Sequence, residues 1–250
     1  MKAVTRQKIK EIVHSCVERA ANRTARNLEG SGGKKPFHEA LFSTEALKFS
    51  AFERSFSTSF GQGPIEEISL LIAKDNGFEA IRQHEEELCV FKGSVDEIEQ
   101  ICSSLRDGNS QPNWNREKKR ICSFNKGDVV SRRLISDLYL TKLGVKYYVS
   151  IKTVKPNLDQ TEKAKRDMLL CLASSPENKP VFALYYNPYG EEKIDYAHSV
   201  PNKLFDMSKD ECVLIGKEYW DFLGGKGTYS VLLALFDEVG KEAKLIVDRM

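Results

Sequence analysis

Asp137 and Lys152 are the two residues whose types and spacing most directly suggest shared chemistry. A carboxylate can hold a metal ion, and an ammonium group can steady a developing anion or orient a water molecule. Asp137 opens the run Asp137-Leu-Tyr-Leu and Lys152 closes Tyr148-Val-Ser-Ile-Lys152, with a short turn around Lys142-Leu143-Gly144 between them. Both runs are rich in aromatic and branched residues, so they read as the strands of a hairpin. Antiparallel pairing about that turn brings Asp137 opposite the neighbourhood of Ser150. Strand alternation then turns Tyr148, Ser150 and Lys152 to one side and sends Val149 and Ile151 into the core. Acid, hydroxyl and lysine meet on one face. The plainer alternative is an ordinary cross-strand ion pair.

The arrangement resembles the core of the PD-(D/E)xK nucleases, in which an aspartate begins one strand and an acid-x-lysine ends the next. The resemblance implies carboxylates that hold Mg2+ against the scissile phosphate, a metal that lowers the pKa of the attacking water, and a lysine that orients or helps deprotonate that water. Two residues depart from the motif. Ser136 stands where it prefers proline, and Ser150 stands where it prefers Asp or Glu. The site is thereby one metal carboxylate short, and serine variants in this superfamily draw the missing acid from a helix. Glu67 ranks first as that donor. Pro64 suits a first helical turn, while Ile65, Ile68 and Ile72 recur at helical spacing as a buried stripe. Glu67 lies nearer the stripe than Glu66, and a glutamate on a helix before the hairpin is the commoner superfamily layout. Glu162 and Asp159, in the helix after Lys152, are the rivals. Both Glu66 and Glu67 would also suit a helix N-terminus through its dipole alone.

Longer strings are similar to the TdeIII-type restriction endonucleases. They are Phe52-Glu-Arg-Ser-Phe-Ser-Thr-Ser-Phe-Gly61, Ser150-Ile-Lys-Thr-Val-Lys-Pro-Asn157, Tyr186-Asn-Pro-Tyr-Gly190 and Tyr219-Trp-Asp-Phe-Leu-Gly-Gly-Lys-Gly-Thr-Tyr229. The resemblance implies a Mg2+-dependent type II enzyme that cuts both strands of a short palindromic DNA of the GGNCC kind and leaves 5′-phosphates. Asp137 and Glu67 would hold the metal, Lys152 would activate water, and Ser150 would hydrogen-bond the water or a metal ligand. It further implies double-stranded DNA as partner, a homodimer matching the two-fold of the site, a cognate DNA methyltransferase as functional partner, and a prokaryotic cytoplasmic location. Two other classes stay open on the residues alone. One is a non-catalytic or repair-type DNA-binding protein of the same fold, with Ser150 marking a degraded site; the other is a protein-interaction module.

The elements that must position these residues are those of an α/β (α+β) protein: a restriction-endonuclease-like mixed sheet with the antiparallel hairpin at its centre, flanked by helices. Helices are expected over 1–27, 65–74, 77–87, 95–105, 159–173, 217–223 and 229–243, and further strands over 88–91, 181–186 and 212–215. Residues 30–36 read as a flexible connector. No repeat or linker divides the chain, so 1–250 is expected to form one domain. The net charge of +2, from 38 basic against 36 acidic residues, asks for a local basic groove rather than a basic protein. Its candidates are Arg116, Lys118, Lys119 and Arg120 in a DNA-facing loop over 107–126, together with Lys155, which follows on the opposite strand parity, and Lys226. A solvated loop is the bland alternative for the first four. Six cysteines form no Cys-x-x-Cys pair, which argues against structural zinc and for free thiols in a reducing compartment. No signal-peptide h-region and no apolar run of about 18 residues is found, so neither export by that route nor a membrane span is expected.

Overall fold

The computed structural model describes residues 1–27, 33–61 and 63–248, and the chain divides into two compact units: the segments before Ile72 and after Tyr229, and the segment between. The first unit is helical. Helix α1 (Ala3–Arg26) buries Ile9, Val13, Cys16, Val17 and Ala20 along one stripe and leaves most of its basic residues outside. It is followed by α2 (Pro36–Leu41), α3 (Thr44–Phe60) and α4 (Pro64–Asp75), and α9 (Thr228–Asp248) ends the described chain. Neither α2 nor α3 was expected from the sequence. Ser43 caps α3 by accepting a hydrogen bond from the Ala46 N–H at 3.2 Å, and Phe52, Phe56 and Phe60 stack along one of its faces before Phe60 meets Phe236 edge-on. Ile65, Ile68 and Ile72 of α4 are all buried, as their spacing requires. The expected 30–36 connector lies partly outside the described residues.

The second unit is built on a five-stranded sheet in the order β1 (Glu79–Phe91), β2 (Val129–Lys142), β3 (Val145–Lys152), β4 (Lys179–Leu184) and β5 (Val213–Ile215). The first three strands are antiparallel and the last three parallel. Helices α5 (Lys92–Arg106), α6 (Trp114–Cys122), α7 (Leu158–Ser174) and α8 (Lys217–Gly224) complete it. The hairpin turn is the two residues Leu143 and Gly144, both at positive φ (51° and 80°). A two-residue loop with that twist matches the twist of the strands.

Two expectations need correction here. Residues 77–87 form no helix but the first half of β1, which pairs with β2 from Glu79 opposite Thr141 to Phe91 opposite Val129. Its glutamates suit a helix locally, yet Ala80, Leu88 and Val90 turn inward at even positions, and long-range pairing overrides propensity. Residues 107–126 are likewise not one loop, because α6 occupies their middle. Asn113 accepts from the Arg116 N–H at 2.9 Å, Glu117 reaches back to the Asn113 N–H, and Trp114, Glu117 and Ile121 bury one helical face.

A third correction concerns β3. As the middle strand it is covered on both sides, so Tyr148 is buried in the main core against α7 and its hydroxyl donates to Glu86 at 2.8 Å, while Val149 is buried opposite. Only the end of the strand opens. Below the sheet, Lys165 of α7 is wholly buried in an ion pair with Glu117 of α6 and lies over the rings of Trp114 and Phe205.

Candidate active site at the end of the central strand

The β2–β3 pairing stops at Leu138 opposite Val149. One residue further on the strands part, and Asp137 fills the gap. Its Oδ2 accepts the backbone N–H of Ile151 at 2.7 Å and the ammonium of Lys152 at 3.1 Å, so Oδ1 carries neither bond. The main-chain donor fixes the carboxylate where a strand hydrogen bond would otherwise run, and the ammonium neutralises it. About a fifth to a quarter of each side chain is exposed (24% for Asp137 and 21% for Lys152), which makes the pair reachable by a ligand yet held by the fold. Both sit beside the carboxyl ends of β4 and β5, because Lys152 pairs with Leu184, which pairs in turn with Ile215. In open sheets with parallel strands, ligands enter at that edge.

The segment after Lys152 leaves the strand at once, which corrects the parity argument for Lys155. Lys155 stands in the following loop, exposed, with its ammonium 5.3 Å from the centre of the Tyr189 ring. That loop is clasped by another. The Tyr196 hydroxyl donates to the Val154 carbonyl at 2.8 Å, and His198 Nε2 lies 3.3 Å from the Pro156 carbonyl. Burial pushes the Tyr196 phenol well above its usual range, so it remains a donor at any working pH. Gly216, at φ 53° between β5 and α8, lets the chain pass beneath: a Cβ there would stand 3.3 Å from the Asn187 N and 3.4 Å from the Tyr186 Cα. Tyr186 and Tyr189 are left partly exposed on this loop.

The other residues singled out by the sequence are distributed as follows. Ser150, half-buried, lines a small cleft with Ser136, Met168 and Asp167 of α7. Asp167 is a carboxylate that sequence reasoning missed, since only the register of β3 against α7 places it near Ser150; it also accepts from Lys163 at 2.7 Å. Glu162 and Asp159 are engaged elsewhere. Arg106 bonds both, Arg166 bonds Glu162 at 2.9 Å, and Arg166 grips Glu99 of α5 through two further bonds. Burial acts to raise the Glu162 carboxyl, but the two guanidinium groups outweigh it and hold it below the usual carboxylate range. Glu66 and Glu67 occupy the first turn of α4, in the first unit, whereas Asp137, Ser150 and Lys152 belong to the second.

On α6, Arg120 pairs with Glu97, Lys118 lies 4.0 Å from Glu211, and Arg116 donates to the Gln111 carbonyl at 2.9 Å, while Lys119 is exposed. Lys226 is exposed in the turn before α9. Among the described residues, no three or more His, Cys, Asp or Glu are grouped so as to hold a metal ion by themselves, and no helix is long and apolar enough to cross a membrane.

A family model described as "Type II restriction endonuclease, HinfI" matches residues 5–240. The type II restriction enzyme HgiBI of Herpetosiphon aurantiacus is 28% identical over 259 residues, spanning 95% of this chain and 93% of its own. HgiCII of the same organism is 27% identical over the same length, with 95% and 94% covered. The type II restriction enzyme MjaII of Methanocaldococcus jannaschii is 28% identical over 240 residues, which take in 82% of this chain and 62% of that protein. The likeness therefore runs through both units, from α1 to α9.

Proposed function

Because the chain belongs to the HinfI family of type II restriction endonucleases, enzymes of site-specific DNA cleavage in restriction-modification, we propose that it cuts both strands of a short palindromic duplex with Asp137 and Lys152 as its reacting pair and Mg2+ as cofactor. The observation that carries this reading is the double hold on Asp137 Oδ2 where the strands part.

The donor set suits the metal. Mg2+ takes one or two protein carboxylates and fills its remaining positions with water and phosphate oxygens, so it requires no closed protein cage. Asp137 supplies one carboxylate, and Glu67 is proposed as the second. When bound, the metal polarises the phosphate and lowers the pKa of the attacking water. Lys152 orients that water and offsets the charge gathering on the phosphate oxygens, and its contact with Asp137 fixes where its ammonium stands. Ser150 hydrogen-bonds the water or a metal ligand.

Lys155 and Lys226, exposed on loops of the second unit, are proposed to meet backbone phosphates, as are Arg116, Lys118, Lys119 and Arg120 of α6. The prior ties of Arg116, Lys118 and Arg120 make Lys119 the readiest of that group. The TdeIII-type likeness of the quoted strings points to a GGNCC-like site. A homodimer, one domain per chain, a cognate methyltransferase that shields host DNA, and residence in the prokaryotic cytoplasm complete the reading.

Purified protein incubated with phage DNA in Mg2+ should give discrete fragments, and none in EDTA. DNA that is retarded in a gel yet stays intact in Mg2+ would overturn the assignment of this site.

A further inference from the structure

Lys155 and Lys193 stand on neighbouring loops and are used in opposite ways. Lys193 spends its ammonium inside the protein, donating to the carbonyls of Asp210 and Val213 at 2.7 and 2.8 Å. Lys155 is exposed, and no carboxylate of the described residues pairs with it. Its freedom is nevertheless restricted. The next residue, Pro156, is buried, and His198 Nε2 lies 3.3 Å from its carbonyl, so the main chain beside Lys155 is held. The Lys155 ammonium lies 5.3 Å from the centre of the Tyr189 ring, within the range of a cation–π contact. Tyr189 is in turn set by its own loop. Its N–H donates to Asn187 Oδ1 at 3.0 Å, Asn187 Nδ2 donates to the Glu192 carbonyl at 2.7 Å, and the Tyr196 ring packs edge-on with centroids 5.8 Å apart.

We infer that Tyr189 is a positioning residue: its ring holds the Lys155 ammonium ready for a DNA phosphate close to the one that is cut. The inference rests on the proposed cleavage of duplex DNA. A lysine side chain loses more rotamer freedom than most when a ligand fixes it, so a ring that confines the ammonium beforehand lowers the cost of the phosphate contact. That phosphate is a near neighbour of the scissile one. The chain from Lys152 to Lys155 reaches about 10 Å at most, which is about three steps along one DNA strand. Tyr189 acts through the lysine rather than by stacking on a base, because Lys155 and Tyr196 between them take up ring surface that a base would need.

The test is a double-mutant cycle on the full-length protein, read as affinity in Ca2+ for a duplex carrying the site mapped from its own phage DNA fragments. Lys155→Met should lower the slope of log affinity against log salt by about 0.9, the share of one phosphate contact. Tyr189→Met fills the room beside Tyr196 without offering a ring face. It should weaken binding about twofold to fivefold, the worth of an exposed cation–π contact, and add nothing where Lys155 is already replaced. Tyr189→Phe keeps the face and should bind like wild type. Circular dichroism checks folding, and Tyr189→Leu repeats the measurement should Tyr189→Met not fold. Wild-type affinity in the ringless variant, a loss just as large in the Lys155→Met background, or an equal loss in Tyr189→Phe would each overturn the inference. Any of these with wild-type cleavage intact removes this inference alone, whereas phage DNA left uncut in Mg2+ removes the proposed function and this inference with it.

Discussion

Asp137 answers to two donors at once, and that arrangement separates the work of the two reacting residues. In Asp137→Asn the side chain keeps its shape and can still accept from Ile151, but it loses the charge that holds a cation. In Lys152→Ala the carboxylate remains and the oriented water does not. Each change should slow cleavage by about 10³-fold, the scale of several kcal/mol of transition-state stabilisation, while specific binding measured in Ca2+ survives. Cleavage that persists in either variant would remove that residue from the site. Glu67→Gln should behave like Asp137→Asn, and Glu66→Gln should be mild. If Asp167→Asn abolishes cleavage and Glu67→Gln does not, the second carboxylate comes from α7 beside Ser150. A subtler change is Tyr196→Phe, which keeps the ring in place and removes only the hydrogen bond to Val154, two residues past the lysine. Single-turnover cleavage should fall roughly 3–10-fold with DNA affinity unchanged, the worth of one hydrogen bond spent on placing Lys152. Loss of affinity in step with rate would mean that the tyrosine only supports the DNA-binding loop.

Among the elements, α5 and α7 are joined by the alternation Glu99, Arg166, Glu162, Arg106 and Asp159. Glu162 is depressed in the folded protein, so its contribution to stability is complete above its ordinary pKa of 4.5 and is lost as pH falls through the folded value. Glu162→Gln should therefore lower stability at neutral pH by about 1 kcal/mol and flatten the acid limb of a denaturation curve. Its cleavage rate should stay near wild type, and a dead but stable Glu162→Gln protein would restore this residue as a metal ligand. Part of this architecture could be read from the chain and part could not. Asp137, Lys152 and their hairpin were legible because a two-residue turn and alternation are local; the same holds for the isoleucine stripe of α4. The helix expected over 77–87 was wrong because its pairing partner lies some fifty residues away, and nothing in a Glu-rich run announces it. Helix α6 was missed because turn-forming residues before it masked the spacing of Trp114, Glu117 and Ile121. Asp167 was missed because its nearness to Ser150 is a matter of how a helix lies on a sheet.

At the scale of the whole molecule, the sheet has an open margin. β1 is thirteen residues long and, among the described residues, has a strand on one side only, which makes it a template on which a stray chain could add itself. Two features spoil that template. Gln83 takes φ 48°, a twist that a flat ladder does not tolerate, and just past it Glu85 and Glu87 stand outward, tied to Arg133 and Ser131 of the neighbouring strand. A third carboxylate, the half-exposed Glu86, accepts the Tyr148 hydroxyl. The acidic run that reads locally as helix is thus a guard against cross-β growth. Replacing Glu85 and Glu87 by Val should leave the native fold in place, yet on mild heating it should bring on thioflavin-binding fibrils that the unaltered chain does not form. If both proteins stay clear to the same temperature, the carboxylates guard nothing.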